Sequence, residues 1–375
     1  MIYADNAATT KLDTDAFEAM KPFLLGEYGN ASGIYSFSRV PKRALKDARE
    51  IIAQCIHASP EEIYFTSGGT ESDNWAVKII AGSDEKKRTV ITSAIEHHAI
   101  LNSCRVMEGR GYSVVYMTPD KDGIIASEIL KRHITDTVSL VTVMSANNEL
   151  GTIQPIRELS NLAHEHDAVF HTDAVQAIGH IDINVDEMGI DMLSASAHKF
   201  NGPKGVGFLY IRKGTNVSPY LDGGSQESGL RAGTENVPGI VGMAVALKSN
   251  IENLKTNRDY VRKLERHLLE KLSDFNVSYV RNGGENTLPG LISLSFDGRD
   301  GEAILHRLDL MGISIATGSA CNSHSKEISH VLKAINLPES LAKGTVRISL
   351  GKNNTEQDVD AIADGLKKIL FHNRN

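Results

Sequence analysis

A chain of 375 residues with 41% hydrophobic and 23% charged residues is long enough for two structural units with sizeable cores. Its net charge of −7, without a Lys/Arg block, argues against direct nucleic-acid binding, and no apolar run is long enough to span a bilayer. Three distant cysteines form neither a disulfide framework nor a zinc pattern, and the N-terminus lacks signal-peptide features, so we expect a cytoplasmic protein without a metal site.

The first predicted element is a helix from Pro41 to His57, in which apolar residues recur at helical spacing. Downstream, short β-rich runs alternate with helical segments. The predicted strands are Ile63–Thr66, Thr89–Ser93, Ser113–Met117, Leu140–Met144, Ala168–Thr172, Met192–Ala195 and Val206–Ile211. The predicted helices between them include Gly69–Ala81, His98–Gly109 and Ile156–Asp167. This order predicts an α/β fold with a mostly parallel sheet covered by helices on both faces.

The pattern changes after about residue 251. The segment Ile251–Phe275 is predicted to form one long amphipathic helix. The elements that follow it, Leu291–Phe296, Gly301–Leu310 and Thr345–Leu350, are short enough for a compact α+β unit. We therefore place a domain boundary near residue 252.

The segment Thr66–Ser72 follows the first predicted strand and leads into a helix. Its small residues allow the backbone to approach an anion, and a helix N-terminus offers unpaired N–H groups, so phosphate is a natural ligand. The spacing matches neither a Walker loop nor a dinucleotide fingerprint, and a Gly/Ser-rich segment can equally be a simple turn.

Asp173 and Lys199 each follow a predicted strand, which is where ligands bind in open α/β sheets. Taken singly, Asp173 could cap a helix and Lys199 could be a surface charge. Together with the loop Thr66–Ser72, they supply a phosphate anchor, a partner for a pyridinium nitrogen and an amine that can form a Schiff base. This combination is what pyridoxal 5′-phosphate (PLP) requires.

Cys321 differs from the other two cysteines in its surroundings. Small and polar residues flank it in the segment Ala316–Ser325, which favours an exposed and reactive thiol. Cys55 and Cys104 lie in predicted helices and are expected to be buried and unreactive. His97 follows the second predicted strand and could either face a ligand or begin a helix.

Short motifs occur in order along the whole chain. They are Tyr3–Thr10, Phe65–Ser72, Glu96–His97, Asn147–Gly151, Asp173–Gln176, Ser196–Lys199, Arg231–Thr234, Gly318–Cys321 and Val346–Ser349. In their joint order and spacing, the sequence resembles the class V aminotransferase-like PLP enzymes, and among them the NifS/IscS-type cysteine desulfurases. The resemblance implies PLP fold type I. A large PLP-binding domain with a seven-stranded, mostly parallel sheet would span residues 13–252. A small α+β domain, residues 1–12 and 253–375, would carry the reactive Cys loop.

The resemblance also implies a role for each matching residue. Lys199 would form the internal aldimine with PLP and later move protons, while Cys321 would take the sulfur. His97 would stack on the ring and shuttle a proton. Arg347 and Asn148 would bind the substrate carboxylate. The other residues expected at the cofactor are Gly69, Thr70, Ser196 and His198 at the phosphate, Asp173 at the pyridine nitrogen and Gln176 at the phenolic oxygen.

By the same resemblance, the protein would convert L-cysteine to L-alanine, form a persulfide on Cys321 and pass sulfur to an acceptor protein for iron–sulfur cluster assembly or tRNA thiolation. Thr234 would reach the phosphate in the neighbouring subunit, which implies a homodimer. A selenocysteine lyase, another PLP-dependent lyase, an aminotransferase and a non-catalytic scaffold are the alternatives. A simple aminotransferase would not need Cys321, and an intact catalytic set argues against a scaffold.

Two segments depart from the family's usual sequence. Gly29–Tyr35 lacks the Pro and the His that the family often shows there. Leu221–Ser228 has Asp222 where His is common, and it lacks an expected Arg. Both segments belong to the expected pocket rim and dimer contact, so they bear on the substrate and the acceptor and leave the cofactor residues intact.

Overall fold

The computed structural model describes residues 1–80, 86–318 and 328–371. The helices are α1 (Thr14–Leu25), α2 (Arg39–Cys55), α3 (Gly69–Ile80), α4 (His98–Gly109), α5 (Ser127–Lys131), α6 (Ile156–His164), α7 (Val237–Glu252), α8 (Leu254–Asp274), α9 (Gly301–Asp309), α10 (His330–Ala334), α11 (Glu339–Ala342) and α12 (Glu356–Phe371). The strands are β1 (Ile2–Tyr3), β2 (Ile63–Thr66), β3 (Thr89–Ser93), β4 (Ser113–Met117), β5 (Val138–Thr142), β6 (Val169–Asp173), β7 (Met192–Ser196), β8 (Gly207–Ile211), β9 (Val280–Asn282), β10 (Leu291–Ser295), β11 (Ile313–Ser314), β12 (Ala316–Thr317) and β13 (Thr345–Ser349). Within the described ranges, no helix is both long and apolar enough to cross a membrane.

A seven-stranded sheet organises the larger part of the chain, in the order β2-β8-β7-β6-β5-β3-β4. Strands β3 to β7 pair in parallel, whereas β8 is antiparallel to both of its neighbours. Strands β5, β7 and β8 are buried at every residue, because separate apolar clusters of helices cover the two faces of the sheet. The predicted α/β fold with a seven-stranded, mostly parallel sheet is confirmed.

The pairing of β6 with β7 places the ends of these two strands at the same edge of the sheet. Asp173, the last residue of β6, pairs with Ser194 of β7. A 3₁₀ turn, Ala197–Lys199, follows directly after β7. Because the carboxyl ends of parallel neighbours meet at one edge, Asp173 and Lys199 come from adjacent strands to the side where ligands bind in such sheets.

A four-stranded antiparallel sheet, in the order β12-β13-β10-β9, has a hydrophobic core of its own. Helices α8 and α12 pack against each other on this core, and Ala4 belongs to it because β1 pairs with β11. Helix α7 packs instead on α1 and α2, in the core of the larger sheet. These separate cores support the proposed division into a large domain, residues 13–252, and a small domain, residues 1–12 and 253–375.

Two predicted helix ends are wrong for local reasons. Helix α2 begins at Arg39, two residues before the predicted start, so Pro41 lies in its first turn. Proline is tolerated there because the N–H groups of the first turn have no acceptor within the helix. Helix α6 ends at His164, three residues before the predicted end, because the chain turns there and Asp167 adopts a left-handed φ of 53°.

The long helix predicted over Ile251–Phe275 is interrupted at Asn253. Helix α7 ends just before this residue and α8 begins just after it. Asn253 has a ψ of 13°, outside the helical region, and its side-chain amide donates to the Ser249 carbonyl at 2.9 Å. The non-helical backbone at Asn253 therefore divides one amphipathic pattern into two helices.

Candidate active site

A cavity of about 370 Å³ lies beside the carboxyl ends of β6 and β7, within the size range of small-molecule sites. The predicted residues that line it are Gly69, Thr70, His97, Asn148, Asp173, Gln176, Ser196, His198, Lys199 and Arg347. The lining residues for which the sequence predicts no role are Ala7, Ala8, Asp73, Met144 and Val175. One cavity therefore collects side chains from distant parts of the chain.

The start of α3 has the geometry of an anion site. Gly68 adopts a positive φ of 148°, and a Cβ at Gly69 would lie 2.5 Å from Cγ2 of Val175. Glycine at these two positions lets the backbone of the helix N-terminus come close to a ligand. His198, which also lines the cavity, hydrogen-bonds the Thr9 hydroxyl through Nδ1 at 3.1 Å. Burial lowers the pKa of His198 to about 4, so this imidazole is neutral at pH 7.

Lys199 is held by the N-terminal segment of the chain. Its Nζ donates to the carbonyl oxygens of Ala7 and Ala8, at 2.5 Å and 3.0 Å. The amide of Gln176 donates to the same Ala7 carbonyl at 2.9 Å. The carbonyl of Lys199 itself hydrogen-bonds His180 Nε2 at 2.9 Å. The carbonyl of Ala7 therefore connects Lys199 to Gln176 at the cavity.

Two buried carboxyl groups, Asp173 and Asp73, line the same cavity. Oδ1 of Asp173 accepts from the Val175 N–H at 2.9 Å, whereas Oδ1 of Asp73 has no hydrogen-bond partner among the described residues. Burial raises the pKa of Asp173, and its interactions with His97, the Val175 N–H and Lys199 oppose that rise. Burial and then the charge of Asp173 raise the pKa of Asp73 well above its usual range. Two such carboxyl groups do not readily ionise together, and burial with the charge of Asp173 favours the protonated form of Asp73.

His97 caps the start of a helix and also lines the cavity, so it combines the two positions that the sequence analysis offered as alternatives. It is the N-cap of α4, and its Nδ1 accepts from the Ala99 N–H at 3.2 Å. This bond places the ring proton on Nε2. Burial lowers the pKa of His97, and the charge of Asp173 opposes the effect. With Nδ1 occupied by the Ala99 N–H, Nε2 is the ring nitrogen that His97 has left for a ligand.

Arg347 brings a cation from β13 into the cavity. Its Nη1 donates to the Asn148 carbonyl at 2.9 Å, and its Nη2 pairs with Asp5 Oδ1 at 2.7 Å. Its Nε is buried without a hydrogen-bond partner among the described residues. A guanidinium with an unused N–H group can bind a further carboxylate.

Two predicted site residues are not part of this cavity as described. Thr234 is exposed between β8 and α7 and does not line the cavity of its own chain. Cys321 lies outside the described residues. Of the other cysteines, Cys104 is buried and Cys55 is partly buried. Burial raises their pKa values to about 12 and about 11, which agrees with the expectation that they are unreactive.

The structure adds residues that the sequence analysis does not assign. Ala7 and Ala8 hold Lys199 through their carbonyl groups, and Asp5 holds Arg347. The motif Tyr3–Thr10 is the signal that points to them, but backbone acceptors carry no residue-type signature.

The chain belongs to the aminotransferase class-V family, whose model matches residues 2–362. Within this class it is similar over its full length to proteins named cysteine desulfurase IscS. One from Dictyoglomus turgidum is 48% identical, over 98% of this chain and 94% of its own length. One from Methanosarcina thermophila is 44% identical, over 100% of this chain and 93% of its own length.

Solved structures of similar proteins also cover nearly the whole chain. A NifS-like protein has a TM-score of 0.93 and 38% identity, over 98% of this chain and 99% of that chain. A structure described as SspA in complex with cysteine has a TM-score of 0.85 and 39% identity, over 95% of this chain and 100% of that chain. The predicted family and the predicted PLP fold type I architecture are confirmed.

Proposed function

We propose that this protein is a PLP-dependent cysteine desulfurase that converts L-cysteine to L-alanine and forms a persulfide on Cys321. The observation that carries the proposal is the convergence of Lys199, Asp173 and Arg347 on one cavity at the ligand-binding edge of the sheet. Full-length similarity to proteins named cysteine desulfurase supports the same reaction.

The donors around the cavity fit PLP. Lys199 offers an amine for covalent attachment, Asp173 offers a buried acid for the ring nitrogen, and Gly68 and Gly69 at the start of α3 leave room for the phosphate. The remaining residues proposed to hold the group are Gly69, Thr70, His97, Asn148, Gln176, Ser196 and His198. When bound, PLP supplies an electron sink for the electrons released at the substrate α-carbon.

The side chains of the chain itself would orient the substrate and move its protons. Arg347 would bind the substrate carboxylate through its free edge, next to Asn148. Lys199 Nζ would take and return the α-proton, since the amine is held at the cavity wall by two neutral carbonyl groups. His97 would donate through Nε2–H, because its other ring nitrogen is occupied by the Ala99 N–H.

The proposed sulfur step balances without an external oxidant. The thiolate of Cys321 attacks the substrate sulfur, so that an S–S bond forms as the bond between sulfur and the β-carbon breaks. The β-carbon keeps the bonding electron pair and takes up a proton, which gives alanine. The enzyme thiol becomes a persulfide, whose outer sulfur an acceptor thiol can then remove.

The proposal extends to the setting of the reaction. Thr234 is exposed and lies away from its own cavity, which supports a homodimer in which it reaches the phosphate of the partner subunit. The sulfur acceptor would be a protein of iron–sulfur cluster assembly or of tRNA thiolation. A cytoplasmic location follows from the need for reduced thiols at Cys321 and on that acceptor.

The test is the yield of alanine and sulfane sulfur from L-cysteine. The wild type should release the two in equal amounts. Cys321→Ala should lose both products while keeping the yellow cofactor, whereas Lys199→Ala should lose the covalently attached cofactor. Cys55→Ala is the matched control and should behave as the wild type.

Two results would contradict the proposal. Release of sulfur and alanine by Cys321→Ala would show that another group takes the sulfur. A yellow wild type that is inert toward L-cysteine but active with selenocysteine, or with amino-acid and keto-acid pairs, would assign one of the alternative PLP reactions.

A further inference from the structure

Glu149 is a buried carboxyl group to which the proposed reaction gives no task. It is 6% exposed, and its Oε2 has no hydrogen-bond partner among the described residues. Its loop is rigid, because Asn147 Oδ1 accepts from the N–H groups of Glu149 and Leu150, both at 2.9 Å, while Asn147 Nδ2 donates to the Ile95 carbonyl. Leaving a buried oxygen unpaired costs free energy, so a compensating role is expected.

The carboxyl group lies against both residues that lead into the segment 319–327. A Cβ at Gly318 would come within 2.6 Å of Glu149 Oε2 and within 3.3 Å of Ser329 Cβ. The Ser329 side chain lowers the pKa of the Glu149 carboxyl group, and its hydroxyl accepts from the Val331 N–H at the start of α10. Gly318 and Ser329 therefore meet at one carboxyl group.

Arg347 acts on the same carboxyl group. Its positive charge stabilises the Glu149 anion, while its side chain lines the cavity and its Nη1 donates to the carbonyl of the adjacent Asn148. The charge of Arg347 lowers the pKa of Glu149, and Asp5 pairs with Nη2 of that arginine. Burial raises the pKa of Glu149 to about 7, so its charge changes near neutral pH.

We propose that Glu149 is a positioning residue, whose carboxyl group sets the charge that a substrate carboxylate meets at Arg347 and supports Gly318 and Ser329. The inference deepens the proposed function and rests on it for the identity of the substrate. As an anion, Glu149 offsets part of the arginine's charge and repels a second carboxylate. When Glu149 is neutral, it neither offsets the charge of Arg347 nor repels the substrate carboxylate. One side chain therefore affects both the affinity for substrate and the support of Gly318 and Ser329.

Two substitutions separate these effects at pH 8, where Glu149 is mostly ionised. Glu149→Gln keeps the shape of the side chain beside Gly318 and Ser329 but removes the charge. It should tighten KM for L-cysteine and the binding of L-alanine roughly threefold to tenfold, with kcat nearly unchanged. Glu149→Ala should give the same tightening and also lower kcat about tenfold, because Gly318 and Ser329 lose their support. Glu165→Gln, at an exposed position after α6, is the matched control.

L-Alanine affinity, read from the cofactor absorbance, does not require desulfuration. This affinity therefore tests the role of Glu149 independently of turnover. If the wild type releases no alanine from L-cysteine, the proposed function is contradicted, but the Glu149 proposal can still be tested. The advantage of Glu149→Gln should shrink at pH 6, where the wild-type group is protonated. Equal affinities for all three proteins at pH 8, or an advantage of the same size at both pH values, would overturn the proposal.

The contact with Gly318 has its own test. A methyl group in Gly318→Ala meets Oε2 of Glu149, so kcat should fall, and the double variant with Glu149→Ala should recover part of that loss. Simply additive losses in the two variants would show that the carboxyl group does not support Gly318.

Discussion

Asp5 and Arg347 form an ion pair at the edge of the candidate active site, with Arg347 Nη2 2.7 Å from Asp5 Oδ1 and the arginine side chain only 7% exposed. The pair joins the N-terminal segment to β13. It also means that the cation expected to bind the substrate carboxylate already binds a carboxylate of the chain on one edge. A planar guanidinium can serve both because its N–H groups point in different directions.

Replacing Arg347 by Lys should raise KM for L-cysteine about 10- to 100-fold while the protein keeps its cofactor. Lysine retains the charge but cannot bind Asp5, the Asn148 carbonyl and a substrate at once. Steady-state kinetics and an L-alanine titration measure the effect. Arg212→Lys changes an arginine that pairs with Asp186 outside the cavity, so its KM should match the wild type. An unchanged KM in Arg347→Lys would remove this residue from substrate binding.

The two cavity carboxyl groups should respond very differently to the same substitution. Asp173→Asn should lower kcat by at least about 100-fold, because a neutral amide cannot keep the ring nitrogen protonated. Asp73→Asn should change kcat less than about threefold, since burial and the charge of Asp173 favour the neutral form of Asp73.

Turnover numbers and the pH dependence of the cofactor absorbance give both readouts for this pair. Each substitution has the same size and removes the same atom type, so either variant serves as the control for the other. A large loss in Asp73→Asn that equals the loss in Asp173→Asn would show that Asp73 is the charged partner.

The sheet could be predicted because its strands are short apolar runs between clear turn signals. Strands β2, β3 and β4 coincide with their predicted bounds, and β5 to β8 lie within two residues of theirs. The failures have local backbone causes that periodicity does not report. A non-helical ψ at Asn253 divides one amphipathic pattern into α7 and α8, and a left-handed φ at Asp167 follows the end of α6.

Most of the candidate site could also be predicted, because strand-end residues and motifs carry residue types with distinct chemistry. Residues that act through the backbone could not be found in this way, as Ala7 and Ala8 show. Glu149 was visible in its motif, but its place between Arg347 and Gly318 depends on how the two sheets pack. Tertiary distances of this kind leave no periodic trace in the sequence.

Glu96 should make the stability of the protein depend on pH. It is fully buried, Oε1 accepts from Ser93 Oγ at 2.6 Å and from the Met144 N–H at 2.9 Å, and Oε2 has no partner among the described residues. Burial raises its pKa from 4.5 to about 8. A raised pKa means that the folded state holds the proton more tightly than the unfolded state does. The contribution of Glu96 to stability is therefore complete below about pH 4.5 and is lost as the pH rises through 8.

Glu96→Gln cannot ionise and should escape this loss. Its free energy of unfolding, relative to the wild type, should improve by on the order of a few kcal/mol between pH 5 and pH 9. Chemical denaturation of the holoenzyme at pH 5, 7 and 9 measures the difference. Glu270→Gln, at an exposed position on α8, should show no trend, and a flat difference for Glu96→Gln would contradict the buried-acid account.

Thiol reactivity should identify Cys321 as the reactive cysteine of the folded protein. At pH 7.5 the thiols of Cys55 and Cys104, with pKa values of about 11 and about 12, are ionised in less than about one molecule in a thousand. A chromogenic disulfide reagent should therefore titrate one fast thiol in the wild type and in Cys55→Ala, and none in Cys321→Ala until denaturant is added. Because the thiolate is the species that reacts both with the reagent and with the substrate sulfur, a fast thiol that persists in Cys321→Ala would place the sulfur-accepting group elsewhere.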